Sequence, residues 1–119
     1  MEVRFAVASS DGKTVNAHFG RSAEFMIYLL AQEGYRYVET RRNTPACGME
    51  HHNDDRLAAS AALLSDCRGV LVGQIGPGAI DVLVEWGVLP FTMSGDIGNA
   101  LRVVINSGRF ALDEKLPVI

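Results

Sequence analysis

Gly69-Val70-Leu71-Val72-Gly73-Gln74-Ile75-Gly76-Pro77-Gly78 is the stretch whose reading decides the fold. Its first half is a short, wholly apolar run, as expected for an interior parallel strand covered on both faces. Its second half is a glycine-rich turn that places Pro77 near the first position of a following helix. Ile80, Leu83 and Val84 form the expected apolar stripe of that helix, and Gly87 is a good C-terminal stop. Val88 to Thr92 reads as the next strand. A strand that passes through a helix into another strand requires a crossover, so this part of the chain predicts a parallel unit.

Working outward, Ser94 or Gly95 is expected to cap a last helix carrying Ile97, Leu101, Val104 and Ile105, stopped by Gly108. The tail from Arg109 to Ile119 carries no assignable pattern. On the other side, Asn53 is expected to cap a helix with Asp54 and Asp55 in its first turn, where the dipole favours negative charge. Leu57, Ala61 and Leu64 share one face of it, and Cys67 just beyond reads as a small core residue. The N-terminal third is mostly sheet, with strands over 3–8, 25–30 and 35–40. Ala31-Gln32-Glu33-Gly34 is a hairpin loop that makes the last two antiparallel, and Lys13 to Ala17 adds a short return strand. The order β-β-β-α-β-α-β-α predicts an α/β fold, a mixed sheet with helices on its faces. Residues 1–108 are read as one domain and 109–119 as a tail.

At 119 residues, 48% hydrophobic and 21% charged, the chain has the composition of one globular domain. A net charge of -3 argues against a nucleic-acid or anionic-membrane surface, since both need clustered Lys and Arg. No apolar run approaches the ~20 residues of a membrane span. Met1-Glu2-Val3-Arg4-Phe5 lacks the order of a signal peptide, so a cytoplasmic location with free Cys47 and Cys67 thiols is expected. No serine sits in a nucleophile elbow, and no third group orients a cysteine–histidine pair. The expectation is a protein without catalytic machinery.

Soft ligands are confined to two segments that read as loops. Pro45 to Asn53 holds Cys47, His51 and His52, and Asn16-Ala17-His18-Phe19-Gly20-Arg21 holds the third histidine. Thiolate and imidazole suit zinc, copper and iron–sulfur centres. The spacing matches no zinc finger or ribbon, and adjacent His51 and His52 are awkward as ligands of one ion, so an open or exchangeable site fits better than a closed structural one. A polar, solvated loop is the competing reading. For His18 it is a loop histidine bonding a backbone carbonyl while Phe19 packs into the core. Arg21 offers charge-assisted bonds to an anion at the same site, or is a surface charge. The glycines around Gly76 and Gly78 lack both the P-loop and the dinucleotide fingerprint. They let the backbone approach a bulky ligand, or merely make the turn.

Several motifs in combination resemble the dinitrogenase iron–molybdenum cofactor-binding family, which includes the NifX and NafY carriers and the C-terminal domain of NifB. They are Phe5-Ala6-Val7-Ala8-Ser9-Ser10-Asp11-Gly12, Val15 to Arg21, Phe25 to Tyr28, Val72 to Ala79 and Gly87 to Pro90. The resemblance covers roughly residues 1 to 108. It implies a ribonuclease H-like three-layer fold with a mixed five-stranded sheet. It also implies noncovalent binding of an iron–molybdenum cofactor, its iron–sulfur precursor or a related molybdenum cluster. His18 falls on the family's favoured ligand and Cys47 to His52 on a variable segment. The site expected is His18 as principal ligand, with Cys47, His51 or His52 supplementary and Arg21, Gly76 and Gly78 at the cluster's anionic periphery. Cluster-donating and cluster-accepting proteins would be the partners of such a carrier. The alternatives are a redox or regulatory protein with a single zinc, copper or iron ion, and a cargo-free interaction module.

Overall fold

A computed structural model describes residues 2–43 and 54–118. Five strands form the main sheet: β1 (Val3–Ala8), β3 (Glu24–Ala31), β4 (Gly34–Arg42), β5 (Gly69–Val72) and β6 (Leu89–Thr92), in the order β4-β3-β1-β5-β6. β3 is antiparallel to both of its neighbours, while β1, β5 and β6 are mutually parallel. The expected mixed sheet is therefore present. β5 is buried throughout between β1 and β6, as its apolar run requires.

Strand alternation divides the interior into two cores. Ala6, Ala8, Phe25, Ile27, Val70 and Val72 face α1 (Asp54–Leu63) and α2 (Pro77–Glu85). Val3, Phe5, Val7, Tyr28, Leu30 and Leu71 face α3 (Ile97–Asn106). Helices thus cover both sides of the sheet. α1 buries Leu57 and Ala61 and passes into a turn that buries Leu64, with Cys67 beyond, as read from spacing.

Three expectations need correction. The stripe on α2 is not Ile80, Leu83 and Val84: Ala79 and Leu83 are buried, but Ile80 is 37% and Val84 53% exposed. The small Ala79 seats the helix closely on the core and turns the two β-branched residues outward. The cap of α3 is Asp96, whose carboxylate accepts from Asn99 N–H at 2.9 Å, rather than Ser94 or Gly95. The short strand near Lys13 is β2 (Thr14–Val15), and its partner is β7 (Gly95–Asp96) just before α3, in a separate two-stranded ladder. The expected Asn53 cap lies outside the described residues.

The C-terminal stretch is fastened to the frame. Phe110 is buried edge-on against Phe5, with centroids 5.1 Å apart. Gln32 and Glu33, at the β3–β4 turn, donate their amides to the carbonyls of Asp113 and Glu114 at 2.8 and 3.0 Å.

Candidate functional site

β4 is antiparallel to β3, and β3 to β1, so the C-terminal ends of β1, β4, β5 and β6 all lie at one end of the sheet. That end of an α/β sheet is where loops converge on ligands. The chain leaves β1 through Ser9-Ser10 and turns on Asp11. The Asp11 carboxylate accepts from the Lys13 and Thr14 amides at 2.8 Å each and from the Thr14 and Ser9 hydroxyls at 2.8 and 3.0 Å. The two amides, foremost, hold its carboxyl well below the usual carboxylate range. After β2 the chain crosses over the end of β5. Phe19 N–H donates to the Gln74 carbonyl and Gly73 N–H to the Ala17 carbonyl, both at 2.9 Å. A Cβ at position 73 would lie 3.1 Å from the Asn16 carbonyl carbon, so glycine is the residue that fits this crossing without displacing it.

His18 begins a single 3-10 turn, Phe19–Arg21. Its Nδ1 accepts from Gly20 N–H at 3.0 Å, and its carbonyl accepts from Arg21 N–H at 3.0 Å. Phe19 is 1% exposed and packs against Phe25, with centroids 5.5 Å apart. The core role expected of Phe19 holds. The imidazole, in contrast, accepts from an amide instead of donating to a carbonyl. Nε2 has no hydrogen-bond partner among the described residues.

Arg21 lies on the same turn, exposed, and makes no ion pair among the described residues. With Ser9, Ser10, Ala17, Ser22 and Glu24 it borders a groove of about 230 Å³. Across the bridge, Gly76 caps α2 without offering a side-chain acceptor to the first-turn amides. Neither Gly76 nor Gly78 has positive φ, and a Cβ at either would meet nothing within 4 Å. Neither turn geometry nor packing among the described residues therefore demands glycine there. What distinguishes both positions is the free room beside them.

Cys47, His51 and His52 lie outside the described residues, but both flanks of their segment are fixed at this end. Asn43, just past β4, donates its amide to the Ala23 carbonyl and its Nδ2 to the Ser22 carbonyl, both at 2.8 Å. Its Oδ1 accepts from the Ser60 hydroxyl of α1 at 2.9 Å. Asn43 and Ser22 were not singled out by the sequence reading. Both are small polar residues at strand ends, and only their partners from distant segments mark them. Among the described residues no three His, Cys, Asp or Glu side chains gather as a metal site. Cys67 stands apart near the start of β5, where burial pushes its thiol up to about 12. Its place at the opposite end of β5 sets it apart from His18.

A family model described as dinitrogenase iron-molybdenum cofactor matches residues 1–107. The FeMo cofactor biosynthesis protein NifB of Bradyrhizobium diazoefficiens is 33% identical over 88 residues, which is 74% of this chain and 18% of that protein. Protein NifX of Rhodobacter capsulatus is 29% identical over 91 residues, covering 74% of this chain and 57% of that one. The chain thus spans less than two thirds of either relative. The apo form of the orange protein from Desulfovibrio gigas has the same fold, with a TM-score of 0.64, 22% identity, and coverage of 87% of this chain and 88% of that one. No helix among the described residues is long and apolar enough to cross a membrane. By the extent of the family match, this chain is a member of the dinitrogenase iron-molybdenum cofactor family.

Proposed function

We propose that the chain is a noncatalytic carrier for an iron–molybdenum cofactor, its iron–sulfur precursor or a related molybdenum cluster. It would receive that cargo from one protein of cofactor biosynthesis and release it to another, in the cytoplasm. The observation that carries this reading is one end of the sheet. His18, whose Nε2 has no partner among the described residues, lies at that end with Arg21, which makes no ion pair among them, and a backbone bridge leads from His18 to the strand end before Gly76 and Gly78. Imidazole suits a soft metal, and a guanidinium suits the anionic rim of a sulfide-rich cluster. Uncapped amides at a helix start add favourable potential for an anion. Cys47, His51 and His52 would enter from the segment anchored at Asn43 as supplementary donors. Few donors favour a carrier, because cargo held by several replaceable contacts is also released.

Family membership supports the cargo class, and the names of the NifB and NifX relatives support a place in cofactor biosynthesis. The strand order, with β3 antiparallel to its neighbours, agrees with the ribonuclease H-like description. The test is anaerobic reconstitution of the full chain with iron–molybdenum cofactor and with a synthetic [4Fe–4S] cluster, followed by metal and sulfide analysis and a visible spectrum. Cluster retained by the wild type and lost from His18→Ala supports the reading. Zinc alone, with neither sulfide nor charge-transfer bands, overturns the cargo assignment. Equal retention by both proteins overturns the role of His18.

A further inference from the structure

We infer that Gly20 is a positioning residue of this site, because its amide makes capping and metal coordination by His18 mutually exclusive. The inference rests on the proposed role of His18 as a ligand. A neutral imidazole carries one proton and one free lone pair. Here the lone pair is on Nδ1, since that atom accepts from Gly20 N–H at 3.0 Å. The proton is therefore on Nε2, the nitrogen with no partner among the described residues. In this state His18 presents an N–H donor outward and has no lone pair to give a metal.

Both routes to coordination break the same bond. If Nδ1 binds the metal, it uses the lone pair that Gly20 N–H occupies. If Nε2 binds, its proton must leave and a proton must arrive on Nδ1, exchanged through solvent. Nδ1–H then faces Gly20 N–H, two donors with no acceptor between them. In each case Gly20 N–H is released from the imidazole, while the turn keeps its backbone bond from Arg21 N–H to the His18 carbonyl. Empty, the imidazole caps the Gly20 amide. Loaded, the imidazole belongs to the metal and the Gly20 amide is free. The bond that is lost on loading reforms on release, so it favours discharge of the cargo.

The test has an empty and a loaded arm, both on the full chain. In the empty protein, long-range ¹⁵N–¹H correlation of the His18 ring is expected to give unprotonated Nδ1 and protonated Nε2. The opposite tautomer overturns the inference. In the loaded arm, hydrogen exchange of the Gly20 amide is compared before and after addition of Zn²⁺ alone and of a synthetic [4Fe–4S] cluster. Exchange is expected to accelerate at least ten-fold with either probe. Bound probe with Gly20 still protected overturns the inference and makes His18 an outer hydrogen-bond donor, leaving the carrier reading intact. Release of Gly20 by Zn²⁺ with no uptake of the cluster upholds the inference and overturns the cluster reading. His18→Asn, whose Oδ1 can cap the same amide, is expected to keep Gly20 protected with or without either probe. Loss of that protection on adding Zn²⁺ to His18→Asn would overturn the assignment of the event to this ring.

Discussion

Replacing Gly73 by alanine presses on the joint that holds His18 in place. The new Cβ would lie 3.1 Å from the Asn16 carbonyl carbon and 3.3 Å from both its Cα and its oxygen. Comfortable carbon contacts begin near ~3.5 Å, so the two backbones must separate by roughly half an ångström. They are not free to do so. Two amide–carbonyl bonds of 2.9 Å, Phe19 to Gln74 and Gly73 to Ala17, clamp the same crossing. Overpacking of this kind costs about 1–3 kcal/mol. Taking the middle of that range, the urea midpoint falls by about 1 M for a slope of ~2 kcal/mol/M. The control is Gly78→Ala, in the first turn of α2, where an added Cβ meets nothing within 4 Å. It should leave stability unchanged or raise it by up to about 1 kcal/mol. Urea unfolding followed by circular dichroism, with amide exchange of Phe19, reads both effects. An unchanged midpoint together with undiminished protection of Phe19 in Gly73→Ala would refute the claim that glycine fits this crossing where alanine displaces it.

Three further outcomes rest on the electrostatics of the frame. Burial holds the Cys67 thiol protonated up to about 12, so a Cys47→Ser variant should show no native thiol reactive with an aromatic disulfide, and one after denaturation. An unfolded thiol ionises near ~8.5 while the folded one does not, so this contribution is full below that value and is lost as pH rises toward 12. Cys67→Ala should flatten that decline in urea midpoints measured between pH 8 and 11 (about the usable range). Arg41 grips Asp66 with two bonds, 2.7 and 2.8 Å, and also donates to the Leu63 carbonyl at 2.8 Å, joining β4 to the end of α1. The guanidinium holds the Asp66 carboxyl below its usual range, so this stabilisation is present above about pH 4 and is lost as acid protonates the carboxylate. Because Asp66 is half exposed, Arg41→Met should lower stability by only about 1 kcal/mol, less in high salt; an unchanged acid limb of the stability curve would count against the pair.

The frame was legible where burial dictates composition. Val70, Leu71 and Val72 lie inside the sheet, covered on both faces, so no polar residue interrupts them. α2 was misread because apolar size is a poor guide when a helix packs closely: the small Ala79 faces the core while Ile80 and Val84 face out. The cap of α3 was misread because Ser94, Gly95 and Asp96 are all plausible from residue type. Only the carboxylate of Asp96 reaches the Asn99 amide, while its backbone is held in the β7 ladder opposite Thr14. At the candidate site, residue types alone propose His18, Arg21, Gly76 and Gly78. The structural link among them is a backbone bridge between His18 and Gln74, and pairings between distant segments leave no trace in local pattern. Which nitrogen of His18 is engaged was equally invisible, being set by one amide in the adjacent turn.

Asn43 has a consequence for how such a protein can change. Its three hydrogen bonds tie the end of β4, the start of β3 and the middle of α1 into one knot. Everything inserted between that knot and α1 joins the frame at points whose positions are already settled. Lengthening a connection between fixed ends is thermodynamically mild, about 0.6 kcal/mol for each doubling. Residues in that segment can therefore be exchanged, added or removed without renegotiating the sheet. On the carrier reading proposed above, the molecule would be a socket with a replaceable fitting, in which selectivity for cargo is rewritten within one short stretch while His18 and its bridge stay as they are.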